Sequence, residues 1–145
     1  KAAGPVKKSL KTAVIPASFK VSGKTYKVTA ISKKAFAGCK KLTSVTIGSN
    51  VTQIGAQAFS RCTALKKAVV GKKVKSIGKA AFSGCKKLRS VTLKTAKLTS
   101  GKVGSGAFKG IHAKAVVKVP KSKYKSYKTM LKKKGLPSKV KVKKS

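Results

Sequence analysis

The sequence predicts an α/β repeat solenoid, and three observations predict it. A 23-residue period runs through the middle of the chain: Phe36, Phe59 and Phe82 are 23 apart, as are Cys39, Cys62 and Cys85, and Leu42, Leu65 and Leu88. Around these the pattern reads Ile-x-x-x-Ala-Phe-x-x-Cys-x-x-Leu-x-x-(Val/Ala)-x-(Ile/Val/Leu), with one Gly or Ser after the first Ile. Within it, Val45-Thr46-Ile47 and Val91-Thr92-Leu93 alternate apolar and polar residues, the period-two mark of a strand. A fixed period of this length marks stacked units, each burying its apolar side against its neighbours. Such a scaffold presents a surface and argues against an enclosed active site.

Taken in order, the strand phrase Leu-x-x-(Val/Ala)-x-(Ile/Val/Leu) occurs first at Leu10-x-x-Ala13-x-Ile15, followed by Pro16, and then at 42–47, 65–70 and 88–93. A further Phe repeat starts at Gly104, places Ala107-Phe108, and ends in Val117-x-Val119 before Pro120. Its Cys position is Ile111 and its Leu position Lys114, the degeneration expected of a terminal repeat. Five parallel strands follow, one per turn. About nine surplus residues separate Ile15 from Val28, and Ser22-Gly23 between two β-rich stretches reads as a hairpin capping the N-terminal end. Each repeat also carries a short extended piece, at Val28-x-x-Ile31, Val51-x-x-Ile54 and Val74-x-x-Ile77. The following Gly-x-x-Ala-Phe-x-x-Cys, with Ser32 for Gly in the first case, suits a single helical turn on the outer side. Two extra residues near Gly101-Lys102 loosen the last repeat.

The last 25 residues differ, with 11 Lys among them. Tyr124, Tyr127, Met130 and Leu131 share one helical face, with Ser122 as N-cap and Gly135 and Pro137 as the stop. Residues 139–142 alternate like an edge strand. A helix and a strand over the open end of a solenoid form a capping device.

The strings Ile54-Gly55-Ala56-Gln57-Ala58-Phe59-Ser60-Arg61-Cys62 and Ile77-Gly78-Lys79-Ala80-Ala81-Phe82-Ser83-Gly84-Cys85 closely resemble the BspA-like class of leucine-rich repeats. The resemblance covers roughly residues 10–120. That class usually has Pro after the strand; here it stands at Pro16 and Pro120, with Gly48, Gly71 and Lys94 elsewhere. The resemblance implies a leucine-rich-repeat, right-handed superhelix from a bacterial cell-surface or secreted protein, in a class associated with adhesion and host-matrix binding. The chain then divides into a partial repeat and hairpin cap (1–30), leucine-rich repeats (28–120) and a Lys-rich cap (121–145), one domain overall. The missing initiator Met and signal peptide read as trimming from a longer protein.

Composition supplies an absence: 38 Lys and Arg, and no Asp or Glu. With globular chains about 25% charged, chance would leave a chain of this length without acids with a probability on the order of 1 in 10⁸. The basicity is selected or engineered. Carboxylate pairs, a carboxylate-oriented triad and carboxylate sites for Ca²⁺ or Mg²⁺ are all excluded, so the expectation is no enzyme, no catalytic residue and no cofactor. His112, the only imidazole, reads as a surface residue. The three cysteines form an odd-numbered column of small buried hydrophobes, short of a metal site. No 18-residue apolar run exists to span a membrane.

Two surfaces remain as partner sites. The outward strand positions Ser44, Thr46, Lys67, Val69, Ser90 and Thr92, with Lys94 beside them, form a flat strip for a protein partner. Lys40, Lys41, Lys86 and Lys87 recur in phase apart from Thr63-Ala64, and with Lys132, Lys133 and Lys134 they are the candidate anion-binding residues. The reading is a non-enzymatic module for adhesion or association with anionic cell-wall or glycan polymers. The alternative is a nucleic-acid or general polyanion-binding protein, although no RRM, helix-turn-helix or zinc-finger pattern is present and aromatics number only eight. An artificially supercharged chain would also lack acids.

A compact protein of this mass exposes roughly 7,000 Å², which leaves about 14 Å between neighbouring charges against a Debye length of about 8 Å at physiological salt. The melting temperature is therefore expected to rise with NaCl from dilute buffer to physiological ionic strength. A flat or falling curve in a thermal scan would remove self-repulsion from the account.

Overall fold

The computed structural model describes residues 2–3 and 10–145. Its centre is a six-stranded parallel sheet made, in spatial order, of Thr12–Ile15, Ser44–Ile47, Lys67–Val70, Ser90–Leu93, Val116–Val119 and Lys141–Lys144. Ser44 pairs with Lys67, and Lys67 with Ser90, each 23 positions on. Inward side chains of these strands (Ala13, Ile15, Val45, Ile47, Ala68, Val70, Val91, Leu93, Val117, Val119) are all buried. Five strands were expected; the sixth is the C-terminal segment, an edge strand as its alternation indicated, which joins in parallel at Lys141–Lys144, two residues beyond the expected 139–142. Val140 and Val142 are buried, which pulls this otherwise Lys-rich segment onto the stack.

Opposite lies a smaller parallel sheet of Ala2–Ala3, Ala30–Ile31, Gln53–Ile54 and Ser76–Ile77, continued by a bridge from Ile77 to Val103. The Ile77–Val103 step spans 26 positions, so the loosened repeat carries three extra residues, not two, and they form the 3₁₀ turn Ser100–Lys102. The N-terminal surplus forms the expected hairpin, with Ser18–Val21 antiparallel to Lys24–Lys27 across Ser22-Gly23. Ser22 and Gly23 both have positive φ (48° and 77°), as a primed two-residue turn requires.

The outer segment of each repeat corrects an expectation. Instead of a single helical turn it is a run of β-turns: Ala35 N–H donates to Ser32 O and Cys39 N–H to Phe36 O, while Lys34 and Gly38 sit at φ 58° and 70°. The same left-handed pairs recur at Gln57 and Arg61, and at Ala80 and Gly84. A helix aims every N–H along its own axis, whereas here alternate N–H groups must reach the neighbouring coil. Lys34, Phe36 and Gly38 donate to Ala56 O, Ala58 O and Ser60 O at 3.0, 2.7 and 2.8 Å, and the next coil repeats the set. Backbone hydrogen bonds thus run along the solenoid on the turn side as well as in both sheets.

Between these walls the phenylalanines stack. Phe36, Phe59, Phe82 and Phe108 have ring centroids 5.0, 5.1 and 5.4 Å apart and planes within 14° of parallel, a displaced stack. Beside them Cys39, Cys62 and Cys85 are buried and in no disulfide. Cys62 Sγ donates to Phe36 O, and Cys85 Sγ to Phe59 O, both at 3.1 Å. The glycine columns have a packing reason too. A Cβ on Gly71 would come within 2.8 Å of Gly48 O, so glycine stands after these strands because coils approach backbone to backbone.

The C-terminal helix, Tyr124–Lys133, buries Tyr127, Met130 and Leu131 as expected, with Tyr124 packed against the core edge. Its N-cap is Lys123, with no side-chain cap bond, and not Ser122. Lys123 N–H closes on Pro120 O at 2.9 Å, which places Ser122 inside a preceding 3₁₀ turn. At the other end Gly135 (φ 96°) and the bond from Leu136 N–H to Leu131 O (3.0 Å) form a Schellman stop. Tyr127 Oη donates to Thr95 O and accepts from Leu98 N–H, both at 3.0 Å, pinning the helix to the loop after the fourth strand. Burial raises the Tyr127 phenol above its usual range.

Phe59 has a ring on each face, so Phe59→Ala is expected to cost about 3–5 kcal/mol in denaturant unfolding, with Phe59→Leu recovering part of it. A loss below about 1 kcal/mol would mean that the stack is not a core element. The adjoining Cys62 thiol and then burial push Cys85 well above the ordinary thiol range. The folded state holds that proton more tightly than the unfolded chain. Its stabilisation is complete below the unfolded thiol pKa of about 8.5 and declines as pH rises past it. Thiol reagents at pH 8 are accordingly expected to spare the native cysteines and to label all three in guanidinium; rapid native labelling would contradict their burial.

Candidate interaction surface

The six-stranded sheet turns one face outward, and strand register sets which side chains share it. One row reads Thr12, Ser44, Lys67, Ser90, Val116, Lys141; the second reads Val14, Thr46, Val69, Thr92, Lys118, Lys143. At about 4.8 Å per strand the strip is about 24 Å long. The positions expected from sequence, Ser44, Thr46, Lys67, Val69, Ser90 and Thr92, lie on it as exposed or half-buried residues. Lys94 is exposed just beyond it. Thr12, Val14, Val116, Lys118, Lys141 and Lys143 complete it. Alternation about Ala13 and Val117 was sufficient to find four of these, but Lys141 and Lys143 become members only once the last segment pairs with Val116–Val119.

The strip is graded. Its first four strands expose one lysine, Lys67, amid small and apolar side chains, including Val14 at 68% exposure. The last two carry Lys118, Lys141 and Lys143, all exposed. The Tyr124 ring lies near this end, with the Lys128 and Lys144 ammonium groups 5.6 and 5.4 Å from its centroid.

The candidate anion-binding lysines do not form one cluster. Lys40 and Lys41 are exposed on one coil and Lys86 and Lys87 two coils further on, with Thr63 and Ala64 half-buried at the equivalent positions between. Lys132 and Lys133 are exposed and Lys134 half-buried at the end of the C-terminal helix. Of these seven, Lys87 lines a concavity of about 520 Å³, which it shares with Lys66, Arg89 and His112. His112, read as a surface residue, is half-buried there. Its Nε2 lies 3.1 Å from Arg89 Nη2, and its Nδ1 lies 3.0 Å from the Lys114 N–H nitrogen. Sequence reasoning missed this grouping. Lys66, Arg89 and His112 stand 23 apart in turn, a signal that would have found it, although the sheet register of the last coil is 26.

No group of three or more His, Cys, Asp or Glu among the described residues is placed to hold a metal ion, and no helix among them is long and apolar enough to cross a membrane.

The profile of the BspA type leucine rich repeat region matches residues 8–136 in six copies. Among solved structures, a leucine-rich repeat protein from Bacteroides ovatus is 30% identical over 93% of this chain, with a TM-score of 0.66. A leucine rich cell surface protein from Faecalibacterium prausnitzii is 24% identical over 76% of this chain, with a TM-score of 0.54. The chain spans 30% and 38% of the length of these two proteins. No curated protein sequence matches it. With six in-phase copies of the repeat covering nearly its whole length, the chain belongs to the BspA-type leucine-rich-repeat family.

Proposed function

We propose that this chain is a non-enzymatic interaction module of a bacterial cell-surface or secreted protein, and that it holds anionic polymers of the envelope or the host matrix. One observation carries the reading: 38 cationic side chains and no acidic one cover a scaffold whose exposed strip becomes lysine-rich at one end. With no carboxylate side chain to neutralise them, these cations are available to a polyanion, and each phosphate or sulfate they meet releases condensed counterions. The neutral end of the strip, with Val14, Thr46 and Val69, is the part suited to a protein partner. Surface or secreted placement is what the BspA-type resemblance implies.

The test is binding to purified cell wall, heparin and duplex DNA across NaCl concentrations, with a neutral matrix protein as control. Wall polymer or heparin is expected to bind at least as tightly as DNA near physiological salt. The triple variant Lys118→Gln/Lys141→Gln/Lys143→Gln should lower the log–log salt slope by about 2–3, since each lost contact lowers it by about 1. Lys72→Gln/Lys73→Gln/Lys75→Gln, away from the strip, should change it less. Preference for DNA would turn the reading toward a nucleic-acid-binding protein. Binding only to the neutral protein, with little salt dependence, would put function on the neutral strip.

A further inference from the structure

The concavity lined by Lys66, Lys87, Arg89 and His112 contains a conflict of donors. A neutral imidazole has one acceptor nitrogen and one N–H. In this structure both ring nitrogens face donors: the Lys114 backbone N–H at Nδ1 and the Arg89 guanidinium at Nε2, at 3.0 and 3.1 Å. Whichever nitrogen holds the proton, one of the two contacts sets donor against donor. If the ring were protonated, both would. The Lys114 amide is fixed by a tight turn, in which Ala115 N–H donates to His112 O at 3.0 Å. Nδ1 is therefore the acceptor, and the Nε2–H points toward the guanidinium. In most proteins a nearby Asp or Glu would take up converging N–H groups of this kind. This sequence has none.

We infer that this concavity is a binding site for one tetrahedral oxyanion, a sulfate or phosphate ester group of a polymer, seated between Arg89 and the His112 Nε2–H with Lys66 and Lys87 on its rim. An oxyanion accepts from both donors at once and removes the conflict between them. Arg89 supplies a planar fork suited to two oxygens of such a group, whereas lysine acts as a point charge. Only two of the chain's 38 cationic residues are arginine, and one of them stands here. The equivalent position on the preceding coil is Lys66, and on that coil the lysine column is broken by Thr63-Ala64. The site rests on the anionic-polymer reading above and gives it one specific contact within an otherwise diffuse coat.

His112 is the only histidine, so its ring signals in NMR report this place alone. The wild-type chain in 150 mM NaCl is titrated with sodium sulfate, inorganic phosphate, a heparin tetrasaccharide and a glycerol-phosphate oligomer, with sodium chloride as ionic-strength control. Saturable His112 shifts are expected with the tetrahedral anions and not with chloride, and the stronger of the two oligomers identifies the polymer class. Arg89→Gln, on an exposed side chain, should weaken the midpoint about tenfold, in line with loss of a hydrogen bond to a charged group. Lys40→Gln/Lys41→Gln should leave it unchanged. Shifts that never saturate, that chloride reproduces, or that Arg89→Gln leaves intact would overturn the site. Heparin and wall binding, measured on the same samples, separates the two readings. If His112 does not respond while polymer binding persists, the site falls and the coat stands. If His112 saturates while no polymer is held at 150 mM NaCl, the polymer reading falls and a small-anion site stands.

Discussion

Lateral hydrogen bonding between successive coils is the constraint from which the rest of this structure follows. Each central residue lies beside its counterpart 23 positions away, because both sheets and the turn ridge join coil to coil through the backbone. Columns of like side chains are then unavoidable. Phenylalanine suits such a column, since displaced parallel rings are a favourable arrangement. Cysteine suits it because a small thiol donates to the carbonyl of the coil before. Glycine is imposed where backbones approach too closely for a Cβ. No buried side-chain N or O among the described residues lacks a hydrogen-bond partner.

The same rule makes a lysine column costly, because like charges are brought within one coil spacing of each other. The chain meets this without a single acidic side chain to form an ion pair. Its cohesion therefore rests on apolar burial and backbone hydrogen bonds, neither of which needs countercharge. The lysines stand at the exposed positions of the coils while the core columns carry none. Self-repulsion is the general cost of a large net charge, and a polyanion laid along the surface relieves it. The feature that weakens the free protein is thus the one that would favour the complex proposed above.

The C-terminal cap shows how a charged segment is held in such a structure. Tyr127, Met130, Leu131, Leu136, Val140 and Val142 are its buried anchors, and lysines occupy most positions between them. The Tyr127 hydroxyl bonds to the backbone at Thr95 and Leu98, so the cap is fixed by polar contacts as well as by area. Because the cap supplies the sixth strand, it also supplies Lys141 and Lys143, the cationic end of the exposed strip.

The sequence by itself determined the repeat, the inward and outward residues of five strands, the hairpin at Ser22-Gly23 and the apolar face of the last helix. These are properties of local periodicity and turn chemistry, which any window of residues displays. Only the tertiary structure decided what depends on the pairing of distant segments. The outer Gly-x-x-Ala-Phe-x-x-Cys looked helical by its apolar spacing, but alternate N–H groups had to serve the next coil, so left-handed turns replaced the helix. Residues 139–142 read as an edge strand, and pairing with Val116–Val119 sets that edge two residues on, at Lys141–Lys144, as the sixth strand of the sheet. Arg89 and His112 stand 23 positions apart, the repeat period itself, whereas after the three-residue insertion near Gly101 the sheet register of that coil is 26, as in Ser90 with Val116. The count aligns these residues, but whether their side chains meet in one concavity is set by backbone pairing across coils and not along the chain.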